Sequence, residues 1–164
     1  MVVREVIQVQ QQDFDLAQEY QAVRQACGEA AGAIAAFVGL VRDHNKLAGD
    51  GGEVGSLTLE HYPGMTESSI AEIVEQAAQR WPLLACTVIH RIGTLKPEDQ
   101  IVLVIVASAH RSAAFAAAEF VMDYLKTQAI FWKKEVSDQG SSWLESTQDD
   151  HQRAQSWRAK DTGA

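Results

Sequence analysis

A chain of 164 residues, 46% apolar and 22% charged, is long enough for one domain with a real core and too short for two. Fourteen Lys and Arg against 22 Asp and Glu leave a formal net charge of −8, which argues against nucleic acid as a bulk partner, because neutralising phosphates needs a basic face. No apolar run reaches the length of a membrane span, and MVVREVIQVQQQ lacks the apolar core and cleavage site of a signal peptide, so the expected location is cytoplasmic, with no membrane partner.

In chain order, residues 15–27 repeat apolar side chains at Leu16, Tyr20, Val23 and Cys27, a helical spacing that Gly28 ends. Residues 32–42 (GAIAAFVGLVR) read as a buried strand, and DHNKLAGDGGEVG after it as a mobile loop. Ser56–His61 reads as a short strand, followed by a turn at Pro63-Gly64. Thr66 is a good N-cap for a helix over 67–81 with Ile70, Ile73, Val74, Ala77 and Trp81 on its apolar face. Ala85–Ile92 and Gln100–Ser108 read as an antiparallel hairpin. The second of these, IVLVIVAS, shows no alternation and so is expected to be central, covered on both faces.

Ser112 can cap a helix over 113–127 with Phe115, Ala118, Met122 and Leu125 facing the core. Ala129–Val136 is the last strand. Alternation puts Phe131, Lys133 and Glu135 on one face, and Ile130, Trp132, Lys134 and Val136 on the other. The division is a single domain over 1–140 with a polar tail over 141–164, which holds one short helix or is partly disordered. The class is α+β, with helices packed on a mainly antiparallel sheet. Cys27 and Cys86, far apart and without CxxC spacing, read as small buried hydrophobes.

The stretch His110–Glu135 concentrates positive charge in an acidic chain. His110 and Arg111 stand at a helix mouth, where backbone N–H groups attract anions and Arg can clamp a phosphate. Taken alone, the pair reads as a capping His and a surface Arg. Lys126 has an ordinary explanation as a cation at a helix C-terminus. Lys133 has a weaker one, since a lysine desolvated beside other cations becomes a usable base or nucleophile. Glu135 can orient it, whereas Lys134 points the other way. Arg42 closes FVGLVR beside the Gly-rich loop. His61, His90 and His110 sit on separate elements, and no spacing makes them a metal site. The residues by themselves indicate an anion-binding domain with one or two reactive lysines and name no reaction.

The motifs FVGLVRDHN, LTLEHYPGMTE, RWPL, VIHRIGTL, SAHRSAAFAAAEFVMDYLKT and FWKKE, in this order over residues 32–135, resemble the large, catalytic subunit of the molybdopterin synthase family. The resemblance implies an α/β-hammerhead fold and sulfur transfer from the C-terminal Gly-Gly thiocarboxylate of a small ubiquitin-like carrier subunit. The acceptor would be cyclic pyranopterin monophosphate, which becomes the dithiolene of molybdopterin. It also implies a homodimer within a heterotetramer, and neither a metal nor an organic cofactor.

On this resemblance the catalytic positions are Lys126 (DYLKT) and Lys133 (FWKKE). The substrate-binding positions are Leu40, Val41, Arg42, His110, Arg111, Lys134 and Glu135 together with the two lysines, and Phe37 and Met122 shape the pocket. Ala129 departs from the proline that the family often has there. The competing expectation is a non-catalytic homodimeric scaffold that binds the carrier or a phosphate ligand. A weaker one is Schiff-base chemistry at Lys133.

Overall fold

Apolar alternation organises the molecule around two four-stranded sheets, as seen in a computed structural model that describes residues 2–43, 54–129, 131–137, 140–144 and 146–161. The first sheet has the order β1 (Arg4–Gln10), β4 (Leu83–Arg91), β6 (Gln100–Ser108), β2 (Ala33–Leu40). The second has the order β5 (Gly93–Leu95), β3 (Val54–His61), β7 (Phe131–Ser137), β8 (Gly140–Leu144). Every pairing is antiparallel except β1 with β4. Helices α1 (Leu16–Cys27), α2 (Met65–Arg80), α3 (Arg111–Thr127) and α4 (Gln148–Asp161) complete an α+β fold. Among the described residues no helix is long and apolar enough to cross a membrane.

The missing alternation in β6 has a direct cause. Val102, Val104 and Val106 enter the core under α2 and α3, while Leu103, Ile105 and Ala107 enter a second core with Phe14, Val23 and Cys27 of the α1 side. Both faces of a central strand are thus covered, and each needs apolar side chains. A smaller cluster, Val41, Leu59 and Leu95, lies under the second sheet.

Several boundaries and faces differ from the expectations. The N-terminus forms β1, whose half-buried residues give no clean pattern. Strand β2 is an edge strand with Phe37 and Leu40 exposed, not a buried one. Leu16 and Tyr20 of α1 are also exposed, leaving Val23 and Cys27 as its buried contacts. Thr66 lies inside α2, fully buried, where its hydroxyl accepts from the Tyr62 N–H; Gly64 is the cap residue, with φ 81°, and its N–H donates to Glu67. A side chain other than hydrogen is disfavoured at that φ.

Likewise α3 starts at Arg111 with His110 as its extended cap residue, and Ser112 lies within the first turn. Its buried arc is Ala113, Ala114, Ala117, Ala118, Phe120, Val121, Tyr124 and Leu125, turned away from Phe115, which is 66% exposed. Small alanines let the helix lie close to the sheet, and the large side chains sit towards its C-terminal half. The hairpin from β4 to β6 contains β5, which leaves the first sheet and pairs with β3 in the second. The polar tail forms β8 and α4, and α4 seats Ala154 and Trp157 in the main core. Of the expected loop over 43–55, residues 44–53 lie outside the described residues.

Candidate active site

The C-terminus of α3 and the start of β7 are joined by a very short connection. Gln128 N–H closes the helix on the Tyr124 carbonyl at 2.7 Å, and Phe131 N–H turns back to the Ala129 carbonyl at 3.1 Å. This tight return brings Lys126, in the last turn of α3, into electrostatic reach of Lys133 on β7. Lys126 is exposed, whereas Lys133 is half-buried, with its backbone paired to Leu59 on one side and Leu144 on the other. Burial, then the like charge of Lys126, push the Lys133 amine down to about 8, with Asp150 pulling the other way.

A third group stands beside the lysines. His90 on β4 shares the parity of Cys86 and Val88, which face the core under α2 and α3, and is only 6% exposed. Its Nδ1 lies 2.8 Å from the Arg91 carbonyl oxygen; since a carbonyl only accepts, Nδ1 carries the proton. The ring stacks on Phe131 with centroids 4.0 Å apart. Burial, with help from the charges of Lys133 and Lys126, pushes its pKa down to about 4. His90 is therefore a neutral imidazole at pH 7 with its lone pair on Nε2. An exposed ammonium, a partly desolvated amine and a neutral acceptor are suited to moving protons at a reacting centre.

The other expected positions divide into those near this group and those far from it. Val41 is buried against Leu59, the residue opposite Lys133, which ties the end of the FVGLVR segment to the second sheet. Arg42 follows it, exposed, beside the Glu98–Asp99 turn that hydrogen-bonds to Val41. Phe37 and Leu40 lie exposed on β2, and Met122 is half-buried on α3. Lys134 occupies the opposite face of β7, 5.9 Å over the Trp143 ring. Glu135 pairs through its backbone with Leu57 and Ser142.

His110 and Arg111 stand at the opposite end of α3 from Lys126, about 22 Å away by the 1.5 Å rise of a helix. One chain therefore does not bring all its clustered cations to one anion. The junction they occupy is close-packed: a Cβ on Gly32 would come within 2.2 Å of the Ala109 carbonyl oxygen.

His61 approaches Glu67 at 3.9 Å rather than the other histidines, and no group of three potential metal-holding side chains forms among the described residues. Two open clefts of about 510 and 670 Å³ lie away from the lysines. One runs along α1 and β2 from Tyr20 to Ile34, and the other lies between Trp81, Phe115 and Trp157. Ser146 and Asp150 were not signalled by any motif, yet Ser146 Oγ donates to the Lys126 carbonyl and Asp150 acts on Lys133.

Known proteins match this chain along most of its length. The family model described as "MoaE protein" matches residues 9–128. The molybdopterin synthase catalytic subunit of Vibrio cholerae serotype O1 is 57% identical over 151 residues, covering 92% of this chain and 97% of its own length. That of Escherichia coli K12 is 51% identical over 146 residues, covering 89% and 93%. Among solved structures, the molybdopterin biosynthesis MoaE protein from Burkholderia ambifaria MC40-6 superposes with a TM-score of 0.75 at 44% identity, covering 96% of this chain and 99% of its own. With a family model over most of its length and relatives above half identity, this chain belongs to the MoaE protein family.

Proposed function

We propose that the Lys126–Lys133 pair is where this chain, a molybdopterin synthase catalytic subunit, transfers sulfur. The donor is the thiocarboxylated C-terminus of a small ubiquitin-like carrier subunit, and the acceptor is cyclic pyranopterin monophosphate, which gains the dithiolene of molybdopterin. The observation that carries the reading is the half-buried Lys133 amine, lowered to about 8 beside the exposed Lys126. A lysine is placed that way at a cost in stability, and the return is an amine that exchanges protons near neutral pH.

Each transfer forms a carbon–sulfur bond, breaks a carbon–oxygen bond and, with one water, returns the carrier terminus as a carboxylate. Lys126 holds or protonates the departing oxygen, Lys133 accepts a proton, and neutral His90 supports the exchange. The two free, buried cysteines suit the reducing cytoplasm, where we place the reaction.

The substrate phosphate requires cations as well. Since about 22 Å separate the two ends of α3, Arg111 and His110 of one copy would serve the lysine pair of a second copy across the homodimer. Arg42 is the remaining candidate from the same chain as the lysines.

Incubation with thiocarboxylated carrier and the cyclic precursor is expected to yield dithiolene product, with two carriers consumed per product. Carrier binding without product would leave only the scaffold reading. In the same assay kcat/KM is expected to rise with pH through a limb near 8, as the Lys133 amine loses its proton, and Lys133→Arg should abolish that limb. The sign for stability runs the same way. The folded Lys133 releases its proton at about 8 and the unfolded one at 10.5, so this group adds stability as pH rises through that window.

A further inference from the structure

The chain that follows β7 returns to the lysines twice. Leu144 of β8 pairs with Lys133 in the sheet, and two residues later the Ser146 hydroxyl donates to the Lys126 carbonyl at the end of α3. Helix α4 begins at once, through a reciprocal cap: Thr147 N–H donates to Asp150 Oδ2 at 3.0 Å, and Asp150 N–H donates to Thr147 Oγ1 at 3.1 Å. The cap holds Asp150 in one orientation.

The rest of α4 fixes that cap against α3. Trp157 and Ala154 are buried in the main core, and Trp157 Nε1 donates to Asp123 Oδ2 at 2.8 Å. Arg153 reaches Glu119 at 3.4 Å and Asp123 at 4.0 Å on the same helix face. Asp123 is one turn before Lys126. A polar tail is thus clamped to the element that carries one lysine and paired to the strand that carries the other.

We propose that the first turn of α4 is a working part of the lysine site, with Asp150 as a positioning residue whose carboxylate counters the Lys133 ammonium. The charges acting on Lys133 come from two elements, Lys126 of α3 on one side of the balance and Asp150 of α4 on the other, while His90 of β4 faces them as a neutral ring. Asp150 itself faces Asp123 as well as Lys133, so its charge is placed between an acid and a base. Against one neighbouring cation and burial, a single carboxylate keeps the Lys133 amine from being lowered further.

This rests on the reading of Lys133 as a reacting group, and the test separates the two. Lysine labelled with ¹³C at Cε is titrated by NMR in the full-length protein, with the Lys133 signal identified by its loss in Lys133→Arg. In Asp150→Asn, which keeps the Thr147 N–H acceptor, the Lys133 midpoint is expected to fall by about half a unit to one unit, and the kcat/KM limb to move with it. Asp150→Glu is expected to restore the midpoint, and Asp149→Asn, on an 80% exposed side chain of the same turn, to leave it unchanged. An unchanged Lys133 midpoint in Asp150→Asn would overturn the proposal. Absence of dithiolene product from the wild-type protein would instead overturn the functional reading, while the NMR midpoint still decides the role of Asp150.

Discussion

Lys126→Ala is expected to lower dithiolene formation by about 10²- to 10⁴-fold, the usual contribution of a positioned proton donor or acceptor. The fold should hardly notice. Lys126 is exposed in the last turn of α3, so its loss costs only the favourable charge at a helix C-terminus, under about 1 kcal/mol. Its carbonyl still receives the Ser146 hydroxyl, because that bond uses the backbone. Single-turnover assays with thiocarboxylated carrier and a carrier-binding titration should therefore diverge, with chemistry lost and binding retained. Wild-type turnover in this variant would remove Lys126 from the reaction.

The second large effect is on stability. Phe120 is fully buried at the centre of an aromatic group. Trp81 and Trp157 meet it edge-on at 5.4 and 5.6 Å, Tyr124 lies tilted against it at 4.5 Å, and the Arg80 guanidinium lies 4.6 Å over its face. Phe120→Ala removes a large buried ring and leaves a cavity that rigid neighbours cannot fill, at about 3–5 kcal/mol. For a domain of this size the melting temperature should fall by on the order of 10 °C. Because Trp157 loses a partner, α4 should loosen as well, and turnover per folded molecule should drop although no lysine has changed. Thermal unfolding followed by near-UV circular dichroism checks the first effect. A melting temperature within a degree or two of wild type would contradict it.

What could be read from the residues depended on how strong each local signal was. Strand β6 and helix α3 were legible because both are long and almost wholly apolar on their buried sides, and the Phe131–Lys133 against Lys134 alternation survived because β7 is regular. Helix α4 was legible only as one of two alternatives for the polar tail: it is anchored by little more than Ala154 and Trp157 in an otherwise polar segment, too few for a periodic pattern to give its bounds. The face of α3 was misplaced by about one residue because alanines carry little pattern.

The candidate site is only partly gathered by sequence. The family motifs name Lys126 and Lys133, but closeness in sequence also suggested that His110 and Arg111 join them, and a 17-residue helix holds those two ends apart. His90 and Asp150 come from strands and helices remote in sequence, where only the three-dimensional pairing reveals them.

The two lysines also belong to different layers. Lys126 is carried by a helix sealed onto the first sheet, while Lys133 is carried by the second, whose own cluster of buried residues is only Val41, Leu59 and Leu95. Local opening follows the weakest packing, so the second sheet should exchange its amide hydrogens faster than β4 and β6 do. Separation of the pair then needs only a partial opening, and the chain should lose sulfur transfer on warming before it loses its fold.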